Sequence, residues 1–278
     1  MASVAETVRE QVTTAIRKDQ LQLPTLPEVA LNIREAAEKE DISAAELADV
    51  VSADPGLAAR VIKIANSPIY RGAREIETIA MAVARLGINQ SCALATGFAM
   101  QQMFQATSEV VDRKLRVVWA QATQIAAISG VLARNFTRMK PDQAMLAGLT
   151  HNIGTLPVLT WAEEHDRLLN DGITLDRVID EIHGELGTLI LRNWKFPDEI
   201  AIVPQTYAKY DREAHATDYV DIVMVAHLQT MAGTNHPLAQ LDWNRIQAFH
   251  NLGLDPSVES SEMEDISEEF EAAMVALS

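Results

Sequence analysis

Cysteine is almost missing from this chain. A single thiol, Cys92 in the run SCALATGFAM, leaves no internal disulfide framework to hold the fold and suits a reducing compartment, where it is expected to be a buried, unreactive side chain. Aromatic residues are scarce too, at 5% of 278 residues, while Ala, Leu, Ile and Val dominate a 48% apolar share. That balance favours closely packed helices over sheet, which draws on aromatic and β-branched side chains. Basic residues fall well behind acids, 23 against 39, for a formal charge of −16. A field of that sign repels phosphate backbones and anionic lipid, so neither nucleic acid nor a membrane surface is an expected partner. No apolar run approaches the ~18 residues of a membrane span, and the start has no basic end followed by an apolar stretch, as a secretory signal would. The expected location is the cytoplasm.

What is present is a succession of helix signals. Val4, Val8, Val12 and Ile16 recur every four residues among polar ones, the stripe of an amphipathic helix over about residues 1–19. Pro24 interrupts the chain, and Thr25 with Glu28 has capping-box spacing ahead of Val29, Ile33 and Ala37. Ser43 and Glu46 repeat that spacing before Leu47, Val50 and Val51. Asp54 can cap a helix with Pro55 at its first position and Leu57, Val61, Ile64 and Ala65 inward. That helix stops at Asn66-Ser67-Pro68, a turn whose short polar side chains can bond nearby backbone. Thr78 caps the next, Gly87 stops it, and another runs from Asn89 to about Gln105. Two helices around a glycine suggest a helix-turn-helix, but from Ile88 to Asp112 there is no Lys or Arg to meet a phosphate or a guanine.

The polar segment QATSEVVDRK divides an expected helical lobe over 20–107 from a second over 108–250. The second begins with a long helix carrying Leu115, Val118, Ala122, Ile125, Ile128 and Leu132. Thr174 to Trp194 reads as one helix bearing His183 on a largely apolar face, and DYVDIVMVAHLQTMAG as a buried one bearing His227. The acidic end, 251–278, places Met263, Ile266, Phe270, Met274 and Leu277 on one side of a helix that either docks on the body, as expected, or binds a partner.

Between these elements, Ala147 to Leu159 (AGLTHNIGTLPVL) sets His151-Asn152 and Gly154 between two apolar runs. Buried polar groups need partners. Such a triplet is an acid/base or metal site if further ligands converge on it, and a hydrogen-bonding knot if they do not.

The segments LPTLPEVA, SADPGLAARVIKIANSP, TIAMAVARLG and LAGLTHNIGTLPVL, with Leu86-Gly87, stand in the order seen in the HDOD family. The chain resembles that family over roughly residues 20–230. The resemblance implies an all-α, two-lobed helical bundle related to the HD metal-dependent phosphohydrolases, and a bacterial signalling role. It also casts Asp54, Pro55, Asn66, Ser67 and Gly87 as structural signature residues. HD enzymes hold one or two divalent metals with two His and two Asp, sometimes more, so that carboxylates offset the charge while imidazoles complete the set and water is activated.

Carried over residue by residue, that ligand set is incomplete here. His151 matches the His of the pair, but Asn152 stands at the Asp and Thr155 where catalytic relatives often have Lys. Gln121 in WAQAT stands at the first ligand His, and His227 in VAHL where the final Asp belongs. His183 fits a further His of cyclic-dinucleotide phosphodiesterase relatives, whose double-His position would fall near Val203 to Tyr207, where VPQTY has none. The expectation is a degenerate pocket of Gln121, His151, Asn152, His183 and His227, with no metal, no cofactor and no catalytic residue. With no receiver, cyclase or kinase segment in the sequence, the module is expected to act in trans on signalling proteins, with self-association open. The alternative is a metal-dependent phosphohydrolase of weak or altered activity.

Overall fold

Short polar caps and prolines start most of the helices, and apolar side chains at helical spacing decide which face turns inward. The computed structural model describes residues 4–18, 20–39, 41–72, 74–256 and 261–277, side chains excepted at 4, 5 and 261–266. Among them every regular element is a helix: α1 (Val4–Arg17), α2 (Glu28–Ala37), α3 (Ala44–Ser52), α4 (Pro55–Ala65), α5 (Ile79–Leu86) and α6 (Ile88–Met100), then α7 (Glu109–Phe136), α8 (Pro141–Thr150), α9 (Thr155–Glu163), α10 (Asp166–Leu169), α11 (Gly172–Asn193), α12 (Asp198–Ala201), α13 (Val203–Thr206), α14 (Tyr219–Met231), α15 (Gln247–Leu252) and α16 (Ser261–Leu277). The fold is all-α. Its buried apolar side chains form one connected cluster from Val8 to Leu277.

The signature residues set the geometry of the first six helices. Asp54 caps α4 by accepting from the backbone N–H groups of Gly56 (2.9 Å) and Leu57 (3.0 Å), with Pro55 at the first helical position. Ser43 and Glu46 form the expected capping box on α3. Asn66 ends α4, and its amide does not bond its own turn; it donates to Ile76 O and accepts from Ile76 N, both at 2.8 Å, pinning the loop back on the helix. Arg85 adds bonds to Ala65 O and Arg74 O. Ser67 is buried. Gly87, at φ 84°, closes α5 and opens α6, a backbone conformation glycine adopts without a Cβ penalty.

Two boundaries differ from the sequence reading. Helix α2 has no Thr25 cap: Pro27 holds an extended backbone (φ −55°, ψ 142°), so Glu28 becomes the first helical residue and cannot serve as the third. Helix α6 ends at Met100, and the turn Gln101–Met103 is a 3-10 helix.

Helix α7 is the spine. Long and apolar enough to cross a membrane by length and composition, it has 61% of its most apolar window buried, because α8, α14 and α16 pack on it. The first helices clasp the later ones through the C-terminal end of α11: Arg34 donates to Trp194 O (2.7 Å) and Lys195 O (3.0 Å) while lying over the Phe196 ring, and Trp194 Nε1 donates to Pro24 O (3.0 Å). Otherwise unpaired carbonyls at a helix end thus meet a cation. On the other flank α1 packs on α11 with Val8, Val12 and Ala15 buried; the Val4 side chain lies outside the described residues.

Helix α16 lies on α7 and α4 with Phe270, Ala273, Ala276 and Leu277 buried and Met274 partly so, and Asn135 donates to Glu269 at 2.7 Å. The expected stripe is thereby widened by two alanines, while the Met263 and Ile266 side chains lie outside the described residues. Truncating a buried aromatic forfeits its transfer free energy and leaves a cavity. Phe270→Ala should therefore lower the unfolding free energy by about 3 kcal/mol, read as a shifted urea midpoint at unchanged slope.

The same measurement separates the signature residues. Asp54→Ala removes one cap, for about 0.5–2 kcal/mol, whereas Asn66→Ala strands both polar groups of the buried Ile76 backbone, for about 1–3 kcal/mol. Unchanged midpoints in both variants would show that these side chains serve something other than the fold.

Candidate functional site

The polar triplet at 151–154 falls on the sharp connection between α8 and α9, and neighbouring helices come against it backbone to backbone. A Cβ built on Gly148 would lie 2.6 Å from Ala126 Cα of α7. One built on Gly154 would lie 1.9 Å from His183 O and 2.4 Å from Gly187 N of α11. Only hydrogen fits at these two positions, and their closeness brings His151 and Asn152 beside His183. The result is a cleft of about 620 Å³ between α7, α11 and α14.

All five residues of the expected pocket line this cleft: Gln121, His151, Asn152, His183 and His227. Gln121 is exposed at the rim and His227 half-buried, while His151, Asn152 and His183 are buried. Thr155 is buried in the same wall. Tyr207, Tyr210, Asp180 and His236 line it as well, and the sequence reading assigned none of them. The missed signal for Tyr207 was in VPQTY: a tyrosine one helical turn beyond Val203 can reach the site even though no histidine does.

Tyr207 is the centre of the arrangement. Its ring meets His151 edge-on at 4.8 Å between centroids, His227 at 5.3 Å and His183 at 5.9 Å. A stacked ion cluster holds the segment behind it: Arg212 bonds Asp218 and the buried Asp221, whose other oxygen accepts from Asn251 at 2.7 Å, and Asp218 caps α14. Burial pushes the Asp221 carboxyl up from the usual range, a cost the Arg212 and Asn251 bonds offset.

The hydrogen bonds fix the tautomers. His151 Nδ1 lies 2.6 Å from Gly148 O and His183 Nδ1 lies 2.8 Å from Ile179 O; a carbonyl only accepts, so both nitrogens carry the proton and both Nε2 atoms keep a lone pair. Burial raises the Tyr207 hydroxyl above its ordinary range, so it stays protonated and donates to His183 Nε2 at 3.1 Å. Tyr210 bonds His227 Nδ1 at 3.0 Å. Burial, reinforced by mutual repulsion among the imidazoles, lowers His151 to about 3, and His227, beside His236 and His183, to about 4. His183 is lowered for the same first reason. All three are neutral at pH 7.

Whether this set fits a divalent metal turns on donor chemistry. His183 Nε2 is taken by the Tyr207 hydroxyl, and the Tyr207 ring stands among the three imidazoles. Asn152 brings an amide in place of a carboxylate, with Nδ2 donating to Val118 O at 3.0 Å and Oδ1 buried without a donor. Among the described residues Asp180 is the one carboxylate in the lining, and it is exposed at the rim. Among the described residues no three His, Cys, Asp or Glu side chains converge at metal-ligand spacing. The donors present do not fit a dinuclear or mononuclear HD centre, which depends on carboxylates to offset the metal's charge.

Comparison with known proteins agrees with this scaffold. The chain is similar over its whole length to a crystal structure from Shewanella amazonensis SB2B provisionally named a metal-dependent phosphohydrolase, at 29% identity and a TM-score of 0.86 with 99% of each chain covered. An HDOD domain protein of unknown function from Geobacter sulfurreducens shares the fold at 23% identity and a TM-score of 0.67, with 98% of this chain and 99% of that one covered. So does a provisionally named signal transduction protein from Marinobacter aquaeolei VT8, at 22% identity and 0.66, with 99% of this chain and 66% of that one covered. No curated protein matches. The HDOD domain model matches residues 23–208, most of the chain, and the protein belongs to the HDOD family.

Proposed function

We propose that this protein is a cytoplasmic signalling module that works by binding, acting in trans on other signalling proteins, on a phosphohydrolase scaffold whose metal site is degenerate. The observation that carries the reading is Tyr207, whose hydroxyl occupies His183 Nε2 and whose ring stands amid the three imidazoles. Asn152 supports it, since an amide attracts a divalent cation far less than the carboxylate that an HD centre uses. The acidic balance, −16 overall, supports a protein partner over a nucleic acid. The alternative, a weak phosphohydrolase, draws on the open Nε2 of His151 and on Asp180 in the same cleft.

Untagged protein incubated with manganese, iron or nickel and then desalted should retain far less than one equivalent and should not hydrolyse phosphomonoesters or phosphodiesters. Tightly held metal together with turnover that vanishes in His151→Ala would establish the alternative.

The neutral imidazoles also set a pH dependence. Their pKa values in the fold, about 3 for His151 and about 4 for His227, lie below the ordinary 6.5, so on acidification the unfolded chain takes up protons first. Stability from these groups is complete above about pH 6.5 and is lost as pH falls from there toward 4 and then 3. The urea midpoint should accordingly drop between pH 7.5 and pH 5, with a shallower drop in His151→Phe; a midpoint indifferent to pH over that interval would refute neutral burial.

A further inference from the structure

Resting on the reading that no metal occupies His151, we propose that the cleft is a binding site for an uncharged heterocycle that donates an N–H hydrogen bond to His151 Nε2. Two acceptors stand side by side here, one open to the cleft and one buried without a donor. His151 is 3% exposed, its Nδ1–H is committed to Gly148 O, and Nε2, on the opposite edge of the ring, has no hydrogen-bond partner among the described residues; the neighbouring Asn152 Oδ1 has none either. Asn152 Oδ1, buried unmatched, costs about 1–3 kcal/mol, and a ligand seated on His151 Nε2 that also brings a donor to it recovers part of that. His183 cannot serve in the same way, because Tyr207 already donates to it.

The lining also defines what the ligand is not. Among the described residues neither Lys nor Arg lines the cleft, and the one carboxylate there, Asp180, would repel a phosphate or carboxylate at the entrance. A cation fares no better at depth, since the burial that keeps three imidazoles unprotonated penalises any charge placed among them. What suits the space is a neutral ring: about 620 Å³ lies within the range of small-molecule sites, and Ile125, Ile179, Met231 and Pro237 offer apolar surface beside the aromatic Tyr207 and Tyr210.

The test uses matched probes on the full chain at pH 7.5: indole against 1-methylindole, which keeps the ring and removes the N–H, and adenosine against adenosine 5′-monophosphate, which adds charge. Binding is followed by titration and by the ring-nitrogen resonances of 15N-labelled histidines. Indole should bind saturably and move the His151 Nε2 signal, with 1-methylindole weaker by about tenfold, the equivalent of one hydrogen bond, and the monophosphate weaker than adenosine by at least as much. His151→Phe should reduce indole to the affinity of 1-methylindole; the probe pairs on the unaltered chain decide the matter if that variant does not fold. Equal affinity for indole and 1-methylindole, tighter binding of the monophosphate, or no saturable binding of indole and adenosine would each overturn the proposal. Metal content measured on the same samples separates the two readings. A metal-free chain that binds none of the probes defeats this site alone, whereas a metal-loaded one defeats the reading on which it rests.

Discussion

Two backbone contacts govern the arrangement of the cleft. Gly148 lies against Ala126 of α7 and Gly154 against His183 and Gly187 of α11, at distances that admit no Cβ. Between them the chain has five residues in which to turn from α8 to α9, and His151 and Asn152 are carried into the interior because both flanks are already fixed. Packing this close transmits any displacement directly, since a core at crystal-like density has no slack to absorb it. The cleft is thus a consequence of helix contact first and of polar chemistry second.

Placed there, the polar groups are governed by desolvation. A metal centre on this scaffold would need carboxylates to neutralise the ion; the chain instead has an amide at 152, and burial then drives the imidazoles to the neutral form. His151 and His183 settle their tautomers on backbone carbonyls and His227 pairs with Tyr210, an arrangement that needs no ion to satisfy these bonds. Tyr207 completes it, because a hydroxyl that burial keeps protonated is the donor that a lone pair on His183 requires.

Much of this was legible from residue order. Caps at Ser43, Asp54 and Thr78 were readable because they are local: side chain and backbone partner lie within three residues. The convergence of Gln121, His151, Asn152, His183 and His227 could be anticipated only through the family resemblance, since nothing in their spacing brings together residues on four separate elements. Asn66 was read as a local turn residue because its partner, Ile76, is ten positions away, across a loop with no periodicity. Asp180 and His236 escaped because no local pattern ties either to the cleft, and Tyr207 and Tyr210 for a different reason. A search for metal donors ranks His and carboxylates by type, and is blind to a tyrosine whose role is to fill the space and supply a proton donor.

A buried polar cluster of this kind is expensive to keep if it does nothing. Replacing interior polar groups by apolar ones of similar shape is often neutral or stabilising, and α7, α11 and α14 otherwise fill their inner faces with Ile, Leu, Val and Ala. An apolar repacking of positions 151, 183 and 207 is therefore a short step in sequence, yet the chain has three imidazoles, an amide and two tyrosines there, with Asn152 Oδ1 buried unmatched. Conformational specificity could account for the satisfied members, because a paired network penalises alternative packings. It does not account for Asn152 Oδ1, which costs stability in every packing that buries it unmatched. That atom makes physical sense where something outside the chain supplies the donor, because its free energy then differs between the free and occupied states.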